Sequence, residues 1–126
     1  MERHDIVGME FDWFAVDQDG NFALFATAGA GPVPDQVFDR LDQHGELAKD
    51  IAIVGWGTSK VWDSFAQVGL FVYDWHDALK AYVRVAEPTQ QLRLPFAARL
   101  RSSNLPRLAV SFPFEREVLL PKEPAR

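Results

Sequence analysis

Five carboxylates, Asp35, Asp39, Asp42, Glu46 and Asp50, recur in this chain at spacings of 4, 3, 4 and 4. On a continuous helix turning about 100° per residue they share a sector of about 80°. Val37, Phe38, Leu41 and Ala48 fall opposite, so the periodicity predicts an amphipathic helix with its acidic stripe in water. Like charges at i,i+4 cost about 0.2–0.5 kcal/mol per pair, and only Lys49 stands close enough to relieve them. Two readings follow. The stripe is an ordinary solvated face on which Asp35 serves the helix dipole, or it docks a basic partner and speeds encounter.

Aromatic residues offer a second chemistry. Trp13 and Trp75 fall in strand-like stretches and Trp62 on the apolar side of a helical one, so core packing accounts for them. Trp56 stands between Gly55 and Gly57 in a loop. It is the tryptophan expected to contact another molecule, by stacking or as one wall of a cage.

Other chemistry is less supported. Ala28-Gly29-Ala30-Gly31-Pro32 resembles a phosphate loop, but Pro32 and Pro34 remove two N–H donors at the helix entrance and no Gly-Lys-Ser/Thr follows. Asp35 would also occupy the position an anion needs. The segment is read as a strand-to-helix crossover. Asp17, Asp19 and Asn21 begin like a calcium loop, yet its sixth and twelfth positions fall on Phe22 and Ala28 in place of Gly and Glu. His4, His44 and His76 lack ligand spacing, GWGTSK is no nucleophile elbow, and there is no cysteine. An enzyme reading reduces to a metal-dependent hydrolase using His76, Asp77 and the Asp17/Asp19 turn, with an incomplete ligand set. No metal or cofactor is therefore expected.

These residues must be held by few elements. Phe11–Asp17 and Phe22–Thr27 read as strands around a turn at 17–21. Pro34 suits the first position of a helix reaching the Asp50 region, which Gly45 weakens. Thr58 is a candidate N-cap for a second helix carrying Val61, Trp62, Phe65 and Ala66, ended by Gly69. Leu70–Trp75 and Leu79–Ala86 form a second hairpin, its return strand turning Leu79, Ala81, Val83 and Val85 one way and Lys80, Tyr82 and Arg84 the other. Leu92–Leu94 reads as extended, Pro95 opens a short helix through Leu100, and Leu108, Val110, Phe112 and Phe114 alternate as an edge strand containing Pro113. The tail, 121–126, is expected to be loose. The ordering predicts an α+β fold: one domain over 1–126, an antiparallel sheet of hairpins with helices packed on one face.

A chain of 126 residues with 48% apolar and 25% charged side chains can build one core. Its net charge of −5 hides an asymmetry: residues 1–79 carry 14 acidic and 4 basic side chains, and residues 80–126 carry 4 acidic and 9 basic. The acidic part argues against a nucleic-acid footprint, which needs clustered Lys and Arg. No apolar run is long enough to span a membrane, the first residues lack the apolar core of a signal peptide, and the absence of cysteine fits a cytoplasmic protein.

The stretch FDWFAVDQDGNFALFATAGAGPVP, the later GLFVYDW and YVRVAEP, and LRL ahead of a short helix resemble small bacterial immunity-type proteins, which are encoded beside polymorphic toxins and secretion-system effectors. The resemblance covers residues 10–112 and carries no catalytic signature. It implies a cytoplasmic α+β protein, not an enzyme, that binds and neutralises one cognate toxin by occluding its active or substrate-binding surface. Toxin-facing surfaces differ within such families, so the resemblance transfers no binding residues. Asp35, Asp39, Asp42, Glu46, Asp50 and Trp56 are the partner-binding candidates from this sequence itself, and the partner they suit is basic. The alternative is a small-molecule or peptide-binding module with a pocket near Trp56.

Overall fold

Five consecutive apolar residues, Phe22–Ala26, form a strand buried on both faces, and the sheet is arranged around it. In the computed structural model, which describes residues 10–120, β1 (Asp12–Val16) and β2 (Phe22–Ala26) make the first hairpin, and β3 (Phe71–His76) and β4 (Ala81–Ala86) the second. The sheet runs β1-β2-β3-β4-β5, with β5 (Glu117–Val118) at the far edge. All pairings are antiparallel except β2 with β3. That parallel pair is the one exception within the antiparallel sheet of hairpins that was expected. The two hairpins are joined by a crossover that contains α1 (Asp35–Phe38), α2 (Leu41–Ala48) and α3 (Val61–Ala66), long enough to carry the chain back to the starting edge. The helix α4 (Leu94–Ser102) follows β4, with Pro95 in its first turn. The result is a mostly antiparallel α+β domain.

Alternation divides the core in two. Phe14, Val16, Phe22, Leu24, Ala26 and Val72 face Leu47 of α2, Phe65 of α3, and Phe96 and Leu100 of α4. On the other face, Trp13, Phe25 and Tyr73 stand in register on adjacent strands, their rings stacked at 4.4 and 4.9 Å between centroids. Val33, Val37 of α1 and Phe112 cover them, and Val118 of β5 joins the same cluster. Thus three helices lie on one face, and the single turn α1 and the chain around Phe112 lie on the other.

Three expectations are corrected. Residues 108–114 form no strand: Phe112 is fully buried by turns, Phe114 is 84% exposed, and the fifth strand is the short Glu117–Val118. In β4 the side chain buried most deeply is Tyr82, from the side taken as polar, while Val85 is exposed. Here Phe112 shares one buried cluster with Tyr82, Val118 of β5 stands beside it in register, and the phenol reaches the Pro32 carbonyl at 2.9 Å. Leu92–Leu94 pairs with no strand, and Leu94 already belongs to α4. The expected loose tail and His4 lie outside the described residues.

The glycine segment steers the chain, as its prolines suggest. The Thr27 carbonyl accepts the N–H groups of Ala30 and Gly31, and Gly29 sits at φ +81°. A Cβ on Gly31 would collide with the Tyr82 hydroxyl and approach its ring carbon Cζ to 2.8 Å. The crossover therefore passes directly over the sheet where Tyr82 also receives the Trp13 indole N–H at 3.3 Å.

Candidate functional site

One row of the sheet breaks the apolar pattern of its face. Asp12 of β1 lies opposite Ala26 of β2, which lies opposite Asp74 of β3. On the same face the neighbouring row is Phe14–Leu24–Val72, all buried. The row thus ends in two carboxylates with only a methyl group between them, and their strands are roughly 10 Å apart at the common spacing of about 4.8 Å per strand. The small Ala26 leaves space above it. A cavity of about 520 Å³ opens there, floored by this row and walled by Glu10, Phe11, Phe65, Trp62 and Trp56.

The walls come from elements with reasons of their own. Trp62 and Phe65 sit on α3, whose apolar side packs on the sheet. A turn at 58–61 leads into α3: Thr58 donates its hydroxyl to the Gly55 carbonyl at 2.7 Å and accepts the Lys60 N–H at 3.2 Å. Thr58 therefore organises the helix entrance, although α3 itself begins at Val61. Gly55 and Gly57 adopt φ of +72° and +79°, a conformation that holds Trp56 outward, 75% exposed, at the cavity rim.

The electrostatics of the cavity are one-sided. Burial, then the charges of Asp74 and Glu10, pushes the Asp12 carboxyl from its usual 3.8 up to about 6. Burial also raises Asp74, against a stabilising backbone hydrogen bond from Trp75. Among the described residues no Lys or Arg lines the cavity. Indole faces beside unbalanced carboxylates are suited to hold a cation.

The candidate stripe is not one face. The chain breaks after Phe38, with Arg40 at φ −134°, so α1 carries Asp35 while α2 carries Asp42 and Glu46. Gly45, expected to weaken the helix, lies inside α2. Phase is lost at Asp39–Arg40, and the common 80° sector with it. Glu46 is paired with Lys49 at 2.8 Å and Asp50 with Arg99 of α4. Asp39 and Asp42 remain exposed beside the break. Of the six candidates, only Trp56 lines the cavity.

The pieces of a hydrolase site are kept apart. His76 ends β3 and Asp77 opens the turn to β4; His76 Nδ1 accepts the Leu79 N–H, and Asp77 accepts Lys80 and the Trp75 indole. Asp17 and Asp19 lie at the other end of the sheet, about seven residues or ~23 Å away along the direction of β3. There Asp17 is fully buried and accepts four hydrogen bonds, from the N–H groups of Asp19, Asn21 and Phe112 and from the Asn21 amide. Among the described residues no group of three His, Asp or Glu side chains is placed to hold a metal ion, and no helix is long and apolar enough to cross a membrane.

No protein family, curated protein or solved structure matches the chain. The site therefore has to be read from its own geometry. Glu10, Asp12 and Asp74 were absent from the sequence candidates. Their signal was present: in Asp12-Phe14-Val16 and Val72-Asp74, a carboxylate takes a place on the apolar side of a strand. Pairing across β2 turns those two separate exceptions into one site.

Proposed function

We propose that the protein is a non-enzymatic binding protein of the immunity type, which neutralises a cognate toxin by covering its active or substrate-binding surface. The observation that carries this reading is Trp56, 75% exposed on a loop with positive-φ glycines at the rim of a cavity bearing Glu10, Asp12 and Asp74. A large aromatic side chain held in water with carboxylates beside it supplies the anchor and the polar surround of a protein-binding hot spot. The partner is basic, as enzymes that act on polyanions tend to be, and the excess of acidic side chains over residues 1–79 draws it in. The contact surface is the Trp56 face. Asp39 and Asp42 contribute by long-range attraction, not as part of a continuous acidic helix.

Co-expression tests this reading. The polypeptide encoded by the adjoining gene, produced alone in a bacterial host, should arrest growth, and this protein should restore it. Growth unaffected by that polypeptide, or arrest that this protein does not relieve, would contradict the proposal.

A second reading, a small-molecule pocket, is favoured by volume alone: about 520 Å³ falls within the range of roughly 300–1,000 Å³ typical of ligand sites.

A further inference from the structure

We infer that the Trp56 cavity is the receptor for one arginine side chain presented by the basic partner. This rests on reading the protein as one that docks such a partner, and it names the chemistry of that contact.

The argument begins with what the cavity disfavours. An apolar occupant would strip water from Glu10, Asp12 and Asp74 without replacing it, and unpaired carboxylates resist that strongly. A neutral polar group would leave the mutual repulsion of the three unrelieved. A cation relieves it, and among the described residues no basic one lines the cavity to do so already. The aromatic walls then select among cations. Trp56 and Trp62 offer indole faces, on which a planar guanidinium stacks as well as being attracted to the ring. Asp12 and Asp74, on either side of Ala26, stand apart on one floor. Five donors spread in a fixed plane can serve two separated carboxylates, whereas an ammonium is a compact point charge. Charge complementarity and shape thus point to the same group.

Two consequences follow. Filling the cavity brings Trp56 over the arginine, so its exposed indole becomes buried. The guanidinium also favours the ionised carboxylates, so binding weakens as the medium is acidified through about 6, where Asp12 takes a proton in the presence of Asp74 and Glu10.

The test uses the full chain and small probes. The indole N–H signals of Trp56 and Trp62 are followed by NMR during titration with N-acetyl-arginine-N-methylamide. The same titration is run with the citrulline analogue, which has the same shape without the charge, and with agmatine as a free guanidine. The expected result is a saturable shift with the arginine derivative in the millimolar range, at least about tenfold weaker for citrulline. The shift should be lost in Asp74→Asn and Asp12→Asn, whose unchanged remaining spectrum reports an intact fold. An equal response to citrulline, or no saturable response, would overturn the assignment. Saturation by agmatine at far lower concentration would replace the side chain of a partner with a free guanidine. None of these titrations involves the toxin. Arginine binding without growth rescue would retain the cavity's chemistry and refute the immunity reading, and rescue without arginine binding would do the reverse.

Discussion

His44 accepts the Phe14 N–H on its Nδ1 at 3.0 Å, with its ring nearly parallel to that of Phe14. β1 is the edge of the sheet, and this buried imidazole fills the place of a neighbouring strand. Residues 106–108 continue the cover, through the Val16 N–H to the Pro106 carbonyl and the Leu108 N–H to the Val16 carbonyl. The contact requires neutral His44, and burial lowers its pKa from 6.5 to about 4. The unfolded chain therefore binds a proton between those values that the native one does not, so His44 costs stability as pH falls through that window. Denaturant melts of His44→Gln should show a flatter acid limb than the wild type, by about 1–3 kcal/mol across the window. An unchanged limb would exclude His44 as its source.

Asp12 acts with the opposite sign. Its native pKa is raised from 3.8 to about 6, so the native state binds the extra proton between them, and Asp12 costs stability once pH exceeds that range. Asp12→Asn should therefore raise Tm at neutral pH and steepen the loss on acidification, because the opposing His44 then acts alone. A Tm lowered at pH 7 would show that the carboxylate has a stabilising partner.

At the opposite end of the sheet, Asp17 joins the first hairpin to the late loop, and Arg107 closes the junction by donating to the Asp17 carbonyl at 2.9 Å. Asp17→Ala leaves the buried Phe112 N–H without an acceptor, at about 1–3 kcal/mol, and frees the part-buried N–H groups of Asp19 and Asn21. The variant should lose about 3–5 kcal/mol, with Phe112 released from the core. Hydrogen exchange at the Phe112 amide should accelerate more than at Tyr73, and equal acceleration would argue against a local anchor.

Much of the fold was legible because it is written in short range. Both hairpins and the turn at 17–21 follow from alternation and turn residues close in sequence. The parallel pairing of β2 with β3 was not, since a crossover of more than forty residues leaves no local trace of which strands meet. The break at Asp39–Arg40 was missed because helix periodicity continues across it, and tertiary packing of Val37 and Leu47 on opposite faces of the sheet decides it. Residues 108–114 alternate like a strand, yet the Asp17 carboxylate claims the Phe112 N–H that a strand would need. At the site, Trp56 was visible as an aromatic residue between glycines, whereas Asp12 and Asp74 become neighbours only through Ala26.

Gly31 tests the crossover. Gly31→Val should destabilise strongly through Tyr82, and Tyr82→Phe, which removes the colliding hydroxyl, should recover part of that loss. A double-mutant cycle without coupling would contradict the contact. Gly29→Val should cost about 1–3 kcal/mol through its positive φ.

The exposed charges beside the helix break should act on rate. Asp39→Lys with Asp42→Lys should slow association with the polypeptide of the adjoining gene and reduce its salt dependence, leaving dissociation almost unchanged. A change confined to dissociation would place these residues inside the contact instead.

The central claim is that recognition is anchored at Trp56 over the acidic cavity. Its most direct test is the dissociation constant of the complex between this protein and the polypeptide of the adjoining gene, measured for the wild type, Trp56→Ala and Asp74→Asn at neutral pH. The account predicts a loss of at least about 2 kcal/mol, roughly thirtyfold, for Trp56→Ala, and a marked loss for Asp74→Asn, with Tm held at or above that of the wild type. Wild-type affinity in both variants would contradict it.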